Sequence, residues 1–144
     1  MALVADTGAL YALYDADDRH HAAVRQVVED ERGPIVIPVV ILAELDYLLR
    51  EFLSVEAELD FLDGIASGAY TLEPFTTEDL ARVRELIATY SALDIGLADA
   101  AVVATAERLR VPRILTVDER DFRAIRPRRG HFTLLPADYR GESP

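Results

Sequence analysis

Four acidic residues border or interrupt apolar segments, where carboxylates are rare. They are Asp6, Glu44, Asp99 and Asp118. Asp6 and Asp118 each close an apolar run, and Asp99 is the only charge within residues 95–104. Removing an ionised carboxylate from water without a partner is very costly. Four such residues, spread along the whole chain, therefore indicate one shared site with a shared cation.

Carboxylates that converge in one pocket need a counter-charge. Two unit charges about 4 Å apart repel by roughly 4 kcal/mol at the effective dielectric of a protein surface. Protonation relieves that repulsion, and so does a hard divalent cation. Oxygen ligands alone favour Mg²⁺ or Mn²⁺ over zinc and copper. Since bound Mg²⁺ polarises phosphoryl oxygens and lowers the pKa of a bound water, the pattern is typical of metal-assisted phosphodiester hydrolysis.

Each acid also has an ordinary structural interpretation. Asp6 before ThrGlyAlaLeu fits a helix N-cap, and Asp118 before GluArgAsp fits an Asx-turn. Glu44 has the option of pairing with a buried arginine, although few arginines precede residue 108. Asp99 has neither an evident cap role nor a basic neighbour in sequence. Four unrelated structural acids are the less economical explanation.

Apolar strand-like runs alternate with helical patterns, which favours a parallel α/β sheet. The predicted strands are 2–6, 35–37, 70–73, 113–117 and 131–135. Five predicted helices are 7–14, 38–52, 54–68, 77–90 and 95–110. A sixth begins at a cap, Asp17 or Asp18, and runs to residue 30. We expect a three-layer α/β/α domain over residues 1–140, with a central parallel sheet of four to five strands and a disordered tail at 141–144.

This architecture accounts for the positions of the acids. In open α/β sheets, functional groups gather beyond the carboxyl ends of the strands, where Asp6 and Asp118 are expected. Asp99 falls in the first turns of a helix with apolar residues at helical spacing, so we expect it to face inward. The apolar neighbours of Glu44 predict a core-directed face for it as well.

The charge of −11 argues at first against nucleic-acid binding. The distribution changes that judgement, because residues 108–129 carry eight arginines and three acids, a net +5. This arginine segment flanks Asp118 and suits recognition of phosphates.

The chain has no cysteine and no lysine. Disulfides, thiol nucleophiles, P-loops and lysine Schiff bases are therefore excluded.

Four short motifs together resemble those of the PIN-domain ribonucleases. They are AspThrGlyAlaLeu at 6–10, Glu44 on the third predicted helix, LeuAlaAspAlaAla at 97–101 and ThrValAspGluArgAspPhe at 116–122. Each is weakly specific alone, but the four occur in the family's order over the expected length. The resemblance extends from Ala2 to about Leu135. Within the family, the chain looks like the VapC-like toxins of type II toxin–antitoxin systems.

The resemblance implies RNA cleavage that depends on Mg²⁺ or Mn²⁺. It implies that the metal ligands and catalytic residues are Asp6, Glu44, Asp99 and Asp118. The last motif of the family uses either of two acids, here Asp118 or Asp121, and we rank Asp118 first because it ends the strand. Thr7 and Thr116 are secondary candidates, and Arg113, Arg120 and Arg123 are the candidates for binding RNA. A homodimer and a small inhibitory antitoxin are also implied.

Other classes of protein with an acidic pocket fit less well. A response-regulator receiver needs a lysine late in the chain, and this chain has none. A haloacid-dehalogenase-type phosphatase needs Asp-x-Asp after the first strand, where this chain has Asp6, Thr7 and Gly8. A non-catalytic module that binds a cation or a partner is the remaining alternative.

No membrane-length apolar run and no signal peptide are evident, so we expect a cytoplasmic protein.

Overall fold

The computed structural model describes residues 1–141 and contains one parallel sheet flanked by helices. Its strands are β1 (Leu3–Ala5), β2 (Ile35–Pro38), β3 (Thr71–Glu73), β4 (Arg113–Leu115) and β5 (Thr133–Leu135). Its helices are α1 (Thr7–Tyr14), α2 (His21–Asp30), α3 (Leu42–Phe52), α4 (Val55–Ala66), α5 (Thr77–Thr89), α6 (Leu97–Leu109) and α7 (Glu119–Ala124). Two 3₁₀ turns cover Val39–Ile41 and Ser91–Leu93.

The strand order is β3-β2-β1-β4-β5, with β1 at the centre and every pair parallel. The three residues of β1 are fully buried, as expected for a strand covered on both faces. Right-handed crossovers put α1–α4 on one face of the sheet and α5–α7 on the other. The chain leaves β1 toward β2 and later returns to its other side as β4. The carboxyl ends of β1 and β4 therefore form the topological switch point, where open α/β sheets carry their functional sites.

The hydrophobic core fills both faces of the sheet. Ile41, Leu45 and Leu49 form the buried stripe of α3, and Phe61 of α4 packs edge-on against Tyr14 with ring centroids 6.0 Å apart. Helix α6 is buried from Ala100 to Ala106, because its small side chains let it pack closely. Fully burying one large apolar side chain contributes about 1.5–3 kcal/mol. These contacts fix the helix ends that surround the switch point.

The predicted α/β/α architecture and the parallel sheet are confirmed, with differences at the boundaries. Pro38 ends β2 instead of opening a helix, and a 3₁₀ turn intervenes before α3 begins at Leu42. Neither Asp17 nor Asp18 is the N-cap of α2; that position is His20, whose N–H donates to Asp18 Oδ1 at 2.7 Å. Helix α7 was not predicted. Of the tail at 141–144, only Gly141 lies within the described residues.

None of the helices in residues 1–141 is long and apolar enough to cross a membrane.

Candidate functional site

Asp6 occupies the switch point and is nearly inaccessible to solvent, with 5% of its surface exposed. It caps α1, accepting a hydrogen bond from Thr7 N–H at 2.8 Å through Oδ1. Its Oδ2 accepts a second hydrogen bond from the Thr116 hydroxyl at 3.0 Å. Burial raises the pKa of Asp6 to about 7, and the charges of Asp99 and Asp118 add to the shift, while the two hydrogen bonds oppose it. Asp6 therefore caps α1, and burial and neighbouring charges disfavour its ionised form.

Thr116 connects the ends of the two central strands. It is buried, and its hydroxyl donates to Asp6 while accepting from Asp118 N–H at 3.0 Å. Asp118 in turn caps α7, because its Oδ1 accepts from Asp121 N–H at 3.2 Å. The backbone supports the same junction, since Asp6 N–H donates to Leu115 O at 2.9 Å. Asp6 and Asp118 are thus held in a fixed relation through one threonine.

Asp99 joins this group from the first turn of α6, where it is half-buried. Burial is the largest cause of its raised pKa, followed by the charge of Asp118, with further contributions from Asp121 and Glu44. The N–H of Gly96, the N-cap residue of α6, hydrogen-bonds to the Asp99 carboxylate and opposes the shift. Asp99 thus interacts with the start of α6, although the N-cap of that helix has no side-chain cap hydrogen bond. The expectation that it meets the other acids is consistent with this mutual repulsion.

Glu44 lies at the rim of the group and not in the core. It is exposed in the first turn of α3, whose buried stripe is formed by Ile41, Leu45 and Leu49. The core-directed face predicted for Glu44 was wrong, because the buried stripe is offset by one residue. Its charge still raises the pKa of Asp99. Glu44 thus lies on the solvent side of the acidic group.

Asp121 belongs to the same group, so Asp118 and Asp121 are neighbours and not alternatives. The pKa of Asp121 is raised by partial burial and by the charge and hydrogen bond of Asp118, while Arg120 lowers it. Asp94 adds a further increase. This exposed residue adopts a left-handed conformation with φ 56° after the second 3₁₀ turn. Sequence reasoning missed Asp94, because an exposed aspartate before a helix carries no unusual signal.

The donor set fits a hard divalent cation that retains part of its water. All the acids of the group offer carboxylate oxygens, which suit Mg²⁺ or Mn²⁺. Within residues 1–141, no three His, Asp or Glu side chains are grouped closely enough to hold an ion by themselves. Mg²⁺ normally keeps several waters and takes only one or two carboxylates directly. Beside Asp6, the buried hydroxyl of Thr7 has no hydrogen-bond partner among the described residues.

Two of the three arginines predicted to bind RNA are engaged elsewhere. Arg113 lies at the amino end of β4, away from the acids, and pairs with Glu31 at 2.7 Å. Arg123 pairs with Glu119 at 2.8 Å and also with Asp138. These positions do not fit the expectation that both contact RNA beside the acids. Arg120 is exposed and lies close enough to Asp121 to lower its pKa, which agrees with the predicted location.

Comparison with known proteins gives a family match over most of the chain. The model of the PIN domain matches residues 3–126. Ribonuclease VapC26 of Mycobacterium tuberculosis is 38% identical over 135 residues, which cover 93% of this chain and 100% of that protein.

Solved structures share the fold at lower sequence identity. The VapC20 toxin of Mycobacterium tuberculosis, which cleaves the sarcin–ricin loop, has a TM-score of 0.72 and 17% identity, covering 78% of this chain and 86% of its own. VapBC2 from Rickettsia felis, bound to a promoter DNA fragment, has a TM-score of 0.66 and 18% identity, covering 93% and 97%. A toxin–antitoxin complex from Klebsiella pneumoniae has a TM-score of 0.67 and 21% identity, covering 87% and 92%.

Proposed function

The chain belongs to the PIN-domain family, with a VapC ribonuclease among its relatives, and on that premise we propose that it is an endoribonuclease dependent on Mg²⁺ or Mn²⁺. The observation that carries the proposal is Asp6, a buried carboxylate whose pKa is raised to about 7 by burial and by neighbouring acids. A structural carboxylate buried for stability is normally paired with a cationic side chain. Among the described residues, Asp6 instead receives only neutral donors.

The acids divide into inner and outer members according to their exposure. We assign Asp6, Asp99 and Asp118 to holding the metal, directly or through water. Glu44, the exposed member, either orients the attacking water or holds a second cation. Thr116 and Thr7 orient the inner carboxylates and their water. A bound Mg²⁺ or Mn²⁺ supplies the positive charge that stabilises the phosphorane-like transition state and lowers the pKa of the attacking water.

The cation also resolves an electrostatic conflict with the substrate. A cluster of carboxylates repels the phosphodiester that it is proposed to cut. If Asp6, Asp99 and Asp118 held a divalent cation, its charge would offset theirs and the site would then accept a phosphate. Cleavage should therefore require the metal for binding at the reacting phosphate as well as for chemistry.

We further propose that the chain is the toxin of a toxin–antitoxin pair, acting in the cytoplasm. Support comes from the relatives, which include a toxin–antitoxin complex, and from an exposed apolar stripe on the α3–α4 hairpin. The stripe consists of Tyr47, Phe52, Val55, Leu59 and Leu62. Surrounding acids such as Glu51 and Asp60 would favour a basic amphipathic segment of the antitoxin.

We also propose that two copies of the chain form a homodimer. Exposed Leu80 and Leu97 border an apolar groove of about 700 Å³ along α5. An apolar groove of this kind suits a contact between two copies of the chain. Sedimentation of the purified protein at several concentrations tests this assignment, and a monomer throughout would contradict it.

The nuclease assignment is tested by incubating the purified protein with a mixed RNA pool and Mg²⁺ or Mn²⁺. We expect cleavage that EDTA abolishes, and a loss of about a hundredfold or more in Asp6→Asn and Asp99→Asn, since metal chemistry supplies several kcal/mol. Asp60→Asn, at an exposed acid of α4, is the matched control and should retain activity. Cleavage retained by both site variants would refute the site. Cation binding without cleavage would favour the non-catalytic module.

A further inference from the structure

The arginines of segment 108–129 fall into two groups once their contacts are considered. Four of them are held in ion pairs: Arg108, Arg113, Arg123 and Arg128. The other four are exposed and make no ion pair with any residue of 1–141: Arg110, Arg120, Arg126 and Arg129. The second group therefore offers guanidinium groups that no carboxylate of residues 1–141 holds in an ion pair.

Three of these unpaired arginines follow a fixed path that begins at the acidic group. Arg120 is in the first turn of α7, beside Asp121. Farther along, the backbone N–H of Arg126 donates to the Tyr90 hydroxyl at 2.9 Å. Tyr90 is the C-cap of α5 and immediately precedes the 3₁₀ turn that leads to Asp94. Through Tyr90, Arg126 is therefore linked to the segment that carries Asp94.

The next part of the loop is fastened to the helices α5 and α6. The backbone N–H of Arg128 donates to Glu107 at 2.7 Å, and its guanidinium lies 3.4 Å from Glu85. Glu107 also receives two hydrogen bonds from Arg82, at 2.7 and 2.9 Å. The loop is thus tied down by its backbone and by Arg128, while its neighbour Arg129 remains exposed.

We propose that Arg120, Arg126 and Arg129 form a phosphate track along which a single-stranded segment of RNA leaves the acidic group. This inference rests on the proposed nuclease function. Arginine binds phosphate through two parallel hydrogen bonds, and it does so best when no internal carboxylate competes. The track needs no base-specific contact, so it binds single strands through their backbone.

The negative charge of the rest of the protein favours one side for the approach of RNA. Residues 1–107 carry six arginines and 21 acids, so most of the surface repels a nucleic acid. Such a field favours the approach of a polyanion to the exposed arginines of segment 108–129 over its approach to the α3–α4 hairpin. RNA bound on the track therefore meets the acidic group from the side of Arg120.

The test compares two triple variants with the same change in net charge. One is R120Q/R126Q/R129Q. The control is R19Q/R25Q/R50Q, at exposed arginines of the α1–α2 loop, α2 and α3. Binding is measured by fluorescence anisotropy with a fluorescein-labelled pool of random 20-nucleotide RNA in EDTA, over a series of salt concentrations. EDTA prevents metal-dependent cleavage, so the measurement reports binding alone.

We expect the track variant to bind about tenfold or more weakly at low salt, with the control within about twofold of the unmodified protein. Loss of three phosphate contacts should reduce the slope of log K against log salt by about 2. Equal weakening of both variants, or no binding by the unmodified protein, would overturn the track. An acidic protein partner that binds these arginines in place of RNA would produce the second result.

Cleavage by the same proteins separates this inference from the nuclease assignment. RNA binding that depends on the three arginines, without cleavage by the unmodified protein, would support the track and refute the nuclease. Metal-dependent cleavage by the unmodified protein, with unchanged RNA binding by R120Q/R126Q/R129Q, would support the nuclease and refute the track. Melting temperatures serve as the folding control, and we expect the track variant to match the unmodified protein because its arginines make no internal ion pairs.

Discussion

Replacing Asp6 by asparagine should stabilise the metal-free protein at pH 8, although it removes a proposed metal ligand. Burial and neighbouring acids raise the pKa of Asp6 from 3.8 to about 7. Between these values the folded state binds more protons than the unfolded state, so the free energy of unfolding falls as pH rises. A difference of about three pH units corresponds to a loss of roughly 4 kcal/mol, complete above pH 7.

Asparagine avoids this ionisation penalty and keeps part of the local hydrogen bonding. Its Oδ1 accepts from Thr7 N–H as the carboxylate does. Its amide must instead donate to the Thr116 hydroxyl, whose own proton then loses its acceptor at a cost of about 1 kcal/mol. The net gain at pH 8 is therefore about 3 kcal/mol. For a domain of this size, that corresponds to a rise in melting temperature of roughly 6–12 °C.

Urea unfolding in EDTA between pH 5 and pH 8 measures the effect. The unmodified protein should lose stability across this range, and Asp60→Asn should follow it. Asp6→Asn should lose clearly less, with a remaining loss because the raised pKa values of Asp99 and Asp121 persist in that variant. In parallel samples without EDTA, added Mg²⁺ should stabilise the unmodified protein, by about 2.7 kcal/mol at a free concentration a hundred times its Kd, and leave Asp6→Asn unchanged. A flat profile for the unmodified protein, or Asp6→Asn less stable at pH 8, would refute the reasoning.

Three further substitutions probe the supports of the site. Thr116→Val removes the hydroxyl that donates to Asp6 and should destabilise by about 1–3 kcal/mol in urea unfolding; Thr116→Ser should restore most of that loss. Leu49→Ala, at a fully buried core position, should cost about 2–5 kcal/mol by the same measurement. Arg113→Gln should destabilise by about 1–3 kcal/mol without weakening RNA binding. Because Arg113 lowers the pKa of Glu31, that cost should disappear once acid protonates Glu31.

The inner acids were predictable because each marks an abrupt end to apolar sequence. A buried strand that closes on an aspartate places that carboxylate at the sheet edge, and two such strands adjoin at the switch point. The order of the strands, which makes β1 and β4 neighbours, is not encoded in any local pattern. It follows from long-range pairing such as Val4 with Ile114.

For Glu44, helical periodicity did not predict which face of α3 is buried. Apolar residues surround it on several sides in sequence, so the pattern does not select a single buried face. The 3₁₀ turn before α3 shifts the register, and Leu45 takes the core position next to it. The ion pairs of the arginine segment could not be predicted for a related reason. Net charge counts Arg113 and Arg123 as available, but their partners Glu31 and Asp138 lie far away in sequence.

The structural and functional interpretations of the acids are compatible, because capping is how the fold assembles the group. Asp6 caps α1, Asp118 caps α7, and Asp99 accepts from the N-cap residue of α6. Helix N-termini favour negative charge, so these helices partly offset the mutual repulsion of the carboxylates. A carboxylate has about four acceptor sites on its two oxygens. Since each cap uses one of them, the same side chain can fix its helix and still offer lone pairs to a cation.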